Sequence, residues 1–152
     1  MTEVTRDSKV TLREITKETV RPICKLKVAE PQNRFVAPNA VSIAEAYFYD
    51  TAWFRAIYAD DTPVGFLMLE IQPDKPEYYL WRMMIADGYQ KMGFGYKAME
   101  QVIEYVKTLP NAAEFLTSCV PGDGSPEGFY NKLGFVRTGE MEDEEVVLKL
   151  VL

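Results

Sequence analysis

Histidine is absent from this 152-residue chain. That omission excludes Ser-His and Cys-His nucleophile chemistry and most zinc sites. Cysteine is scarce: Cys24 and Cys119 stand far apart with no CxxC spacing. The expectation is therefore two reduced thiols in a cytoplasmic protein, with no disulfide framework and no metal. No apolar run approaches the roughly 20 residues that a bilayer span requires. The opening MTEVTRDSKV lacks the apolar core of a secretory leader, and none is expected. Basic clusters are missing too. With a net charge of −6 and a pI near 4.8, the chain is a poor partner for nucleic acid. A negative cleft could steer a cationic substrate, although acidity also serves plain solubility. There is no internal repeat, low-complexity tract or linker, so residues 1–152 are read as one domain.

What is present centres on Tyr78 to Lys107. Tyr79 to Ala86 is apolar or aromatic except for Arg82, the pattern of a strand buried on both faces. Asp87-Gly88 marks a turn, followed by Gln90-Lys91-Met92-Gly93-Phe94-Gly95. Met99, Val102, Ile103 and Val106 then recur at the spacing of one helical face, with Lys97, Glu100, Gln101 and Glu104 opposite. A glycine-bearing turn that opens a helix after a buried strand is an anion site in waiting. The first amides of the helix lack intrahelical acceptors, and the helix dipole adds positive charge there. A plain strand-to-helix connection with two convenient glycines would look the same. The spacing fits neither the three glycines of a Rossmann fingerprint nor the Gly-Lys-Ser/Thr of a P-loop.

Around this unit the chain alternates short elements. Val10 to Ile15 reads as a strand, and Thr16 as the cap of a helix starting near Lys17. A second helix is expected from Ser42, because Ser42-Ile43-Ala44-Glu45 has the form of a capping box with Val41 placed to staple onto Ala46. Trp53–Ala59 and Val64–Ile71 form a hairpin around Asp60-Asp61-Thr62-Pro63. Phe115–Val120 is a further strand. Ser125 caps a short helix with Pro126 at its first position, ended by Gly134. Phe135 onward and Glu145 to Leu152 close the chain as an antiparallel pair. The order is β-α-α-β-β-β-α-β-α-β-β, an α/β fold with a mixed sheet.

The segment Gln90-x-x-Gly93-x-Gly95 resembles motif A of the GNAT superfamily of N-acetyltransferases, the loop that holds the pyrophosphate of acetyl-CoA. Many members have glycine directly after the Gln or Arg; here Lys91 stands there. The run Ser125-Pro126-Glu127-Gly128-Phe129-Tyr130-Asn131-Lys132-Leu133-Gly134-Phe135 is similar to motif B, with Tyr130, Gly134 and Phe135 in matching places. Asp123 stands where many relatives have Asn. The strand order is also the family's, so the resemblance covers nearly the whole chain.

The resemblance implies direct transfer of an acetyl group from thioester to amine. Gln90, Lys91, Met92, Gly93, Phe94, Gly95 and Tyr96 are expected at the diphosphate, with Lys132 nearby on the short helix. Met83, Met84 and Ile85 would offer an open strand edge to pantetheine, and Tyr130 would be the general acid for the leaving thiolate. Several relatives carry a carboxylate on the central strand just before that edge, where this chain has Trp81 and Arg82. The base is left to Glu70 on the neighbouring strand as the nearest candidate.

For the acceptor, Phe35, Asn39, Glu45, Trp53 and Trp81, with Tyr47 and Tyr49, mix aromatic and polar groups that suit a polycation, although core and rim aromatics would give the same mix. FVAPNAVSIAEAY, TPVGFLML and the LWRMMI-to-GFG run resemble bacterial spermine/spermidine acetyltransferases. Other small amines, an antibiotic, a protein amine, or coenzyme sensing without turnover remain alternatives. Many relatives pair as dimers, so a homodimer is among the expectations; membrane and nucleic-acid partners are not.

Overall fold

The computed structural model describes residues 3–29 and 36–152. Its elements are β1 (Val10–Arg13), α1 (Val20–Cys24), α2 (Asn39–Ala46), β2 (Ala52–Ala59), β3 (Thr62–Gln72) and β4 (Glu77–Ile85). They are followed by α3 (Phe94–Lys107), β5 (Glu114–Cys119), α4 (Glu127–Lys132), β6 (Val136–Glu142) and β7 (Glu145–Val151). The element order matches the sequence reading. Seven strands form one sheet in the order β1-β2-β3-β4-β5-β7-β6. Every neighbouring pair is antiparallel except β4–β5, which is parallel. Among the described residues, no helix is long and apolar enough to cross a membrane.

The sheet carries apolar side chains on both faces. On one, Leu67, Leu69, Tyr78, Leu80 and Phe115 pack against Met99, Val102 and Val106 of α3 and Tyr130 of α4. On the other, Ala56, Phe66, Met68 and Met84 pack against Ile23 of α1, with Ile43 and Ala46 of α2 alongside. Of the apolar face expected for α3, Met99, Val102 and Val106 are fully buried and Ile103 partly so. Burying a side chain of this size contributes about 1.5–3 kcal/mol.

Three helix starts differ from expectation. α2 begins at Asn39 behind Pro38, so Ser42 is an interior residue rather than a cap. Its hydroxyl is buried and accepts from Arg82. The Ser-x-x-Glu spacing is real, but here it places Ser42 and Glu45 on one face for a shared partner. A capping box and an i, i+3 polar pair have the same sequence. α1 begins only at Val20, after a turn in which the Thr16 carbonyl accepts from the amides of Thr19 and Val20. At the start of α4, Pro126 is the cap and Ser125 Oγ still accepts the Glu127 amide at 3.3 Å.

The central strand has a feature the sequence does not advertise. Its pairing with β3 runs Met68↔Arg82 and then Leu69↔Leu80, so Trp81 is skipped. A bulge of this kind reverses the alternation. Tyr78 and Leu80 face α3 before it, whereas Met83 and Ile85 do so after it, and Trp81 and Met84 face the α1–α2 side.

Candidate active site

β4 and β5 pair only through Tyr79↔Leu116 and Leu80↔Thr117. Beyond Leu80 the two strands separate, and the edge of β4 from Trp81 to Ile85 is left without a strand partner on that side. β5 runs on through Ser118 and Cys119 along β7 without pairing with β4 again, while β4 continues into the loop before α3. A cleft of about 1130 Å³ occupies the separation. Met83, Met84 and Ile85 line it, together with Gln90, Lys91, Gly93, Phe94, Gly95 and Tyr96 from the loop and helix start, and Phe129, Tyr130 and Lys132 from α4.

The loop is shaped by left-handed backbone. Gly88, Lys91 and Gly93 have φ of 94°, 62° and 85°. Gly93 is the N-cap of α3, and its carbonyl takes the first helical bond, from Lys97, at 3.1 Å. The helix itself supplies no acceptor to the amides of Phe94, Gly95 and Tyr96. Lys91 holds a conformation that glycine adopts freely and other residues adopt at a cost, the place where the motif commonly has glycine. Gln90 does a different job from its neighbours: its Nε2 donates to the Ile85 carbonyl at 2.8 Å and ties the loop to β4. Met92 is packed against the core, and the cleft lining does not include it. Gly95 keeps three elements close, since a Cβ there would lie 3.4 Å from Ile85, Met83 and Phe129.

Tyr130 is buried, its ring at 5.4 Å from Phe129 and 5.7 Å from Phe135. Burial pushes its hydroxyl pKa above the usual tyrosine value. Cys119 and Glu145 push the same way, and a hydrogen bond with Thr117 pulls back. The phenol thus keeps its proton across the neutral range. Thr117 Oγ1 also donates to the Leu80 carbonyl at 3.1 Å. The Cys119 thiol lines the cleft too, but burial first, then Glu127 and Glu145, raise its pKa against the pull of Ser125 and Arg137. That is the wrong direction for a thiolate nucleophile.

The acceptor residues inferred from sequence are dispersed. Trp81 lines the cleft and meets Tyr49 edge-on at 5.3 Å. Glu45 is bound to Arg82, whose Nη1 donates to its Oε1 at 2.7 Å and to Ser42 Oγ at 3.2 Å. Asn39 is 2 % exposed and donates to the Ile23 carbonyl at 2.9 Å; it joins α1 to α2 rather than facing a substrate. Trp53 stacks on Tyr105 of α3 at 4.7 Å, on the α3 face of the sheet, and is not part of the cleft lining. Phe35 lies outside the described residues. Glu70 accepts from the Thr51 hydroxyl at 3.4 Å and is not part of the cleft lining, so the candidate base of the sequence reading is displaced. Sequence proximity to the central strand was its sole support.

Residues that sequence reasoning passed over line the other end of the cleft: Tyr79, Arg82, Ser118, Glu142 and Glu145. Tyr79 donates to Glu142 Oε2 at 3.3 Å, and Ser118 Oγ to Glu145 Oε2 at 3.4 Å. Burial, above all, pushes the Tyr79 pKa up to about 12, with both carboxylates adding to it and Ser118 opposing. Glu142 and Glu145 flank the β6–β7 turn, and only the pairing of β7 with β5 carries them to this cleft. No spacing in the chain announces that.

The sequence matches the family described as Acetyltransferase (GNAT) family over residues 22–135, more than half of the chain. No curated protein is similar enough in sequence to count as a match. Solved structures share the fold at low identity. A domain from Methanocaldococcus jannaschii is 14% identical with a TM-score of 0.77, covering 96% of this chain and 100% of its own. The PaiA N-acetyltransferase of Thermoplasma acidophilum, in complex with coenzyme A, is 14% identical with a TM-score of 0.68, covering 95% and 99%. A chimera of the Vibrio cholerae spermidine N-acetyltransferase SpeG and hSSAT is 18% identical with a TM-score of 0.72, covering 95% and 96%.

Proposed function

We propose that this chain, which belongs to the acetyltransferase (GNAT) family and is an acetyl-CoA-dependent N-acetyltransferase, acts on a polyamine in the cytoplasm. The observation that carries the acceptor class is the far end of the cleft. There Glu142 and Glu145 stand with Tyr79 and Trp81 at the opening between β4 and β5. Carboxylates recognise ammonium groups by charge-assisted hydrogen bonds, and aromatic faces attract cations. The Glu45 carboxylate contributes indirectly. By pairing with Arg82 it neutralises a cation that would otherwise repel a cationic acceptor. The net charge of −6 favours encounter with such a substrate. Cys24 and Cys119 are both unpaired, which fits a reducing compartment.

The residue roles in this reading follow the cleft. The amides of Phe94, Gly95 and Tyr96, with Lys91 beside them, hold the diphosphate of acetyl-CoA at the dipole end of α3. The unpaired edge of β4 offers backbone groups to the pantetheine amides, as an added strand would. Tyr130 donates to the sulfur as negative charge develops on it, and the proton follows. Attack is direct in this reading, and the raised pKa of the Cys119 thiol speaks against a thiolate intermediate.

Thiol release from acetyl-CoA with spermine, spermidine, a lysine peptide and an aminoglycoside as separate acceptors tests the reading. Saturable turnover confined to the polyamines is the expected result. Turnover confined to another acceptor overturns the polyamine assignment. Tight acetyl-CoA binding without any turnover favours a coenzyme sensor instead.

A further inference from the structure

Glu145, the first residue of β7, lines the same cleft as Tyr130. The two approach from opposite faces of the sheet. Val146 and Leu148 of β7, and Phe115 and Cys119 of β5, pack on the side of α3 and α4 with Tyr130. Alternation along each strand turns Glu145 and Ser118 to the other face, where their hydrogen bond joins them. The separation of β4 from β5 is the passage between the faces.

The titratable groups around Glu145 are Tyr79 from β4, Cys119 from β5, Glu142 from β6 and Tyr130 from α4. None is a cation. Among the described residues, neither Glu142 nor Glu145 is ion-paired, whereas Glu45, Glu114 and Glu127 each have a basic partner. Glu70 is not among the residues that line the cleft.

We propose that Glu145 receives the acceptor's ammonium and takes its proton, on the face of the gap opposite Tyr130. The proposal rests on the amine-acetylation reading above. The ammonium gives one proton to the Glu145 carboxylate, directly or through one water. The freed nitrogen lone pair forms the bond to the acetyl carbonyl carbon. The carbon–sulfur bond then breaks with its electron pair on sulfur, which takes the Tyr130 proton. The amide nitrogen sheds its extra proton, which restores Tyr130 through solvent. The proton on Glu145 leaves past the exposed Glu142, so the products are amide, thiol and one proton. Ser118 is a positioning residue that fixes the carboxylate.

The test compares the full-length wild type with E145Q, which keeps the shape and the Ser118 contact. The readout is kcat/KM for the polyamine the wild type accepts, measured from pH 6.5 to 9.5. A general base contributes on the order of 10²–10⁴-fold, so E145Q should lose about 100-fold near pH 7. The deficit should shrink as the pH rises, by at most about tenfold per unit, because the free-amine fraction grows with pH below the amine pKa near 10.4. Acetyl-CoA affinity should be unchanged, and E145D should recover part of the rate. S118A should show a smaller deficit with the same pH trend. A deficit independent of pH, or none, in an active enzyme overturns the assignment to Glu145 and leaves the acetyltransferase reading standing. A wild type that acetylates no amine overturns both.

Discussion

Replacing Tyr130 by phenylalanine removes one oxygen from a packed environment, and the structure sets what that should cost. The ring contacts with Phe129 and Phe135 remain. Thr117, which shares a hydrogen bond with the phenol, keeps its donation to the Leu80 carbonyl. Loss of the remaining bond is worth about 1 kcal/mol of stability, so the variant should fold. Acid catalysis contributes about 10²–10⁴-fold, which corresponds to ~3–5 kcal/mol in the barrier. Y130F should therefore lose at least about 100-fold in kcat while its acetyl-CoA affinity changes little. Burial raises the Tyr130 pKa, so its proton stays in place to beyond pH 10. The alkaline side of the wild-type profile should show no loss of activity near pH 8 or 9 from this group. The stability sign follows: the folded state holds the proton more tightly than the unfolded chain. Its contribution is complete below a pH of about 10 and is lost as the pH rises toward the folded value. Stopped-assay thiol release and calorimetric coenzyme binding provide the two readouts. A Y130F enzyme that retains a third or more of kcat would refute the acid role.

Two further variants probe the scaffold. In G65A the new Cβ would clash with the Met84 carbonyl oxygen, a backbone atom on the cleft edge of β4. The strands must part, and a loss near the upper end of the ~1–3 kcal/mol typical of overpacking is expected in urea unfolding; an unchanged midpoint would contradict that contact. K91G relieves a left-handed lysine at φ 62°, a conformation costing non-glycine residues roughly 1–2 kcal/mol against glycine's unfolded-state entropy of about 0.5–1. It should melt no lower than the wild type, yet bind acetyl-CoA more weakly at low salt, with the difference closing at high salt. Equal binding at all ionic strengths would remove Lys91 from the diphosphate site.

Some of this protein was fixed by local pattern. The apolar stripe Met99, Val102 and Val106 could only be a helix face, and it is buried as such. Gln90, Gly93 and Gly95 stand at the strand-to-helix junction because the left-handed turn there depends on residues close in sequence. Both motifs, A and B, are contiguous, so they could be read from the chain alone, and so could the order of elements. Ser42-x-x-Glu45 shows where local reading stops. The same spacing serves a helix cap or a joint grip on a distant cation, and Arg82, nearly 40 residues away, decided between them.

The tertiary structure alone decided the end of the cleft proposed for the acceptor. The Trp81 bulge reverses which β4 side chains face α3, and no composition rule places it. The gap beyond Leu80 exists because β4 and β5 share only two register pairs. Glu142 and Glu145 reach that gap through the long-range pairing of β5 with β7, while Trp53 and Asn39, expected at the acceptor, are turned into packing. Sequence fixes what depends on neighbours along the chain; register and strand order, which depend on the whole sheet, fix what meets across it.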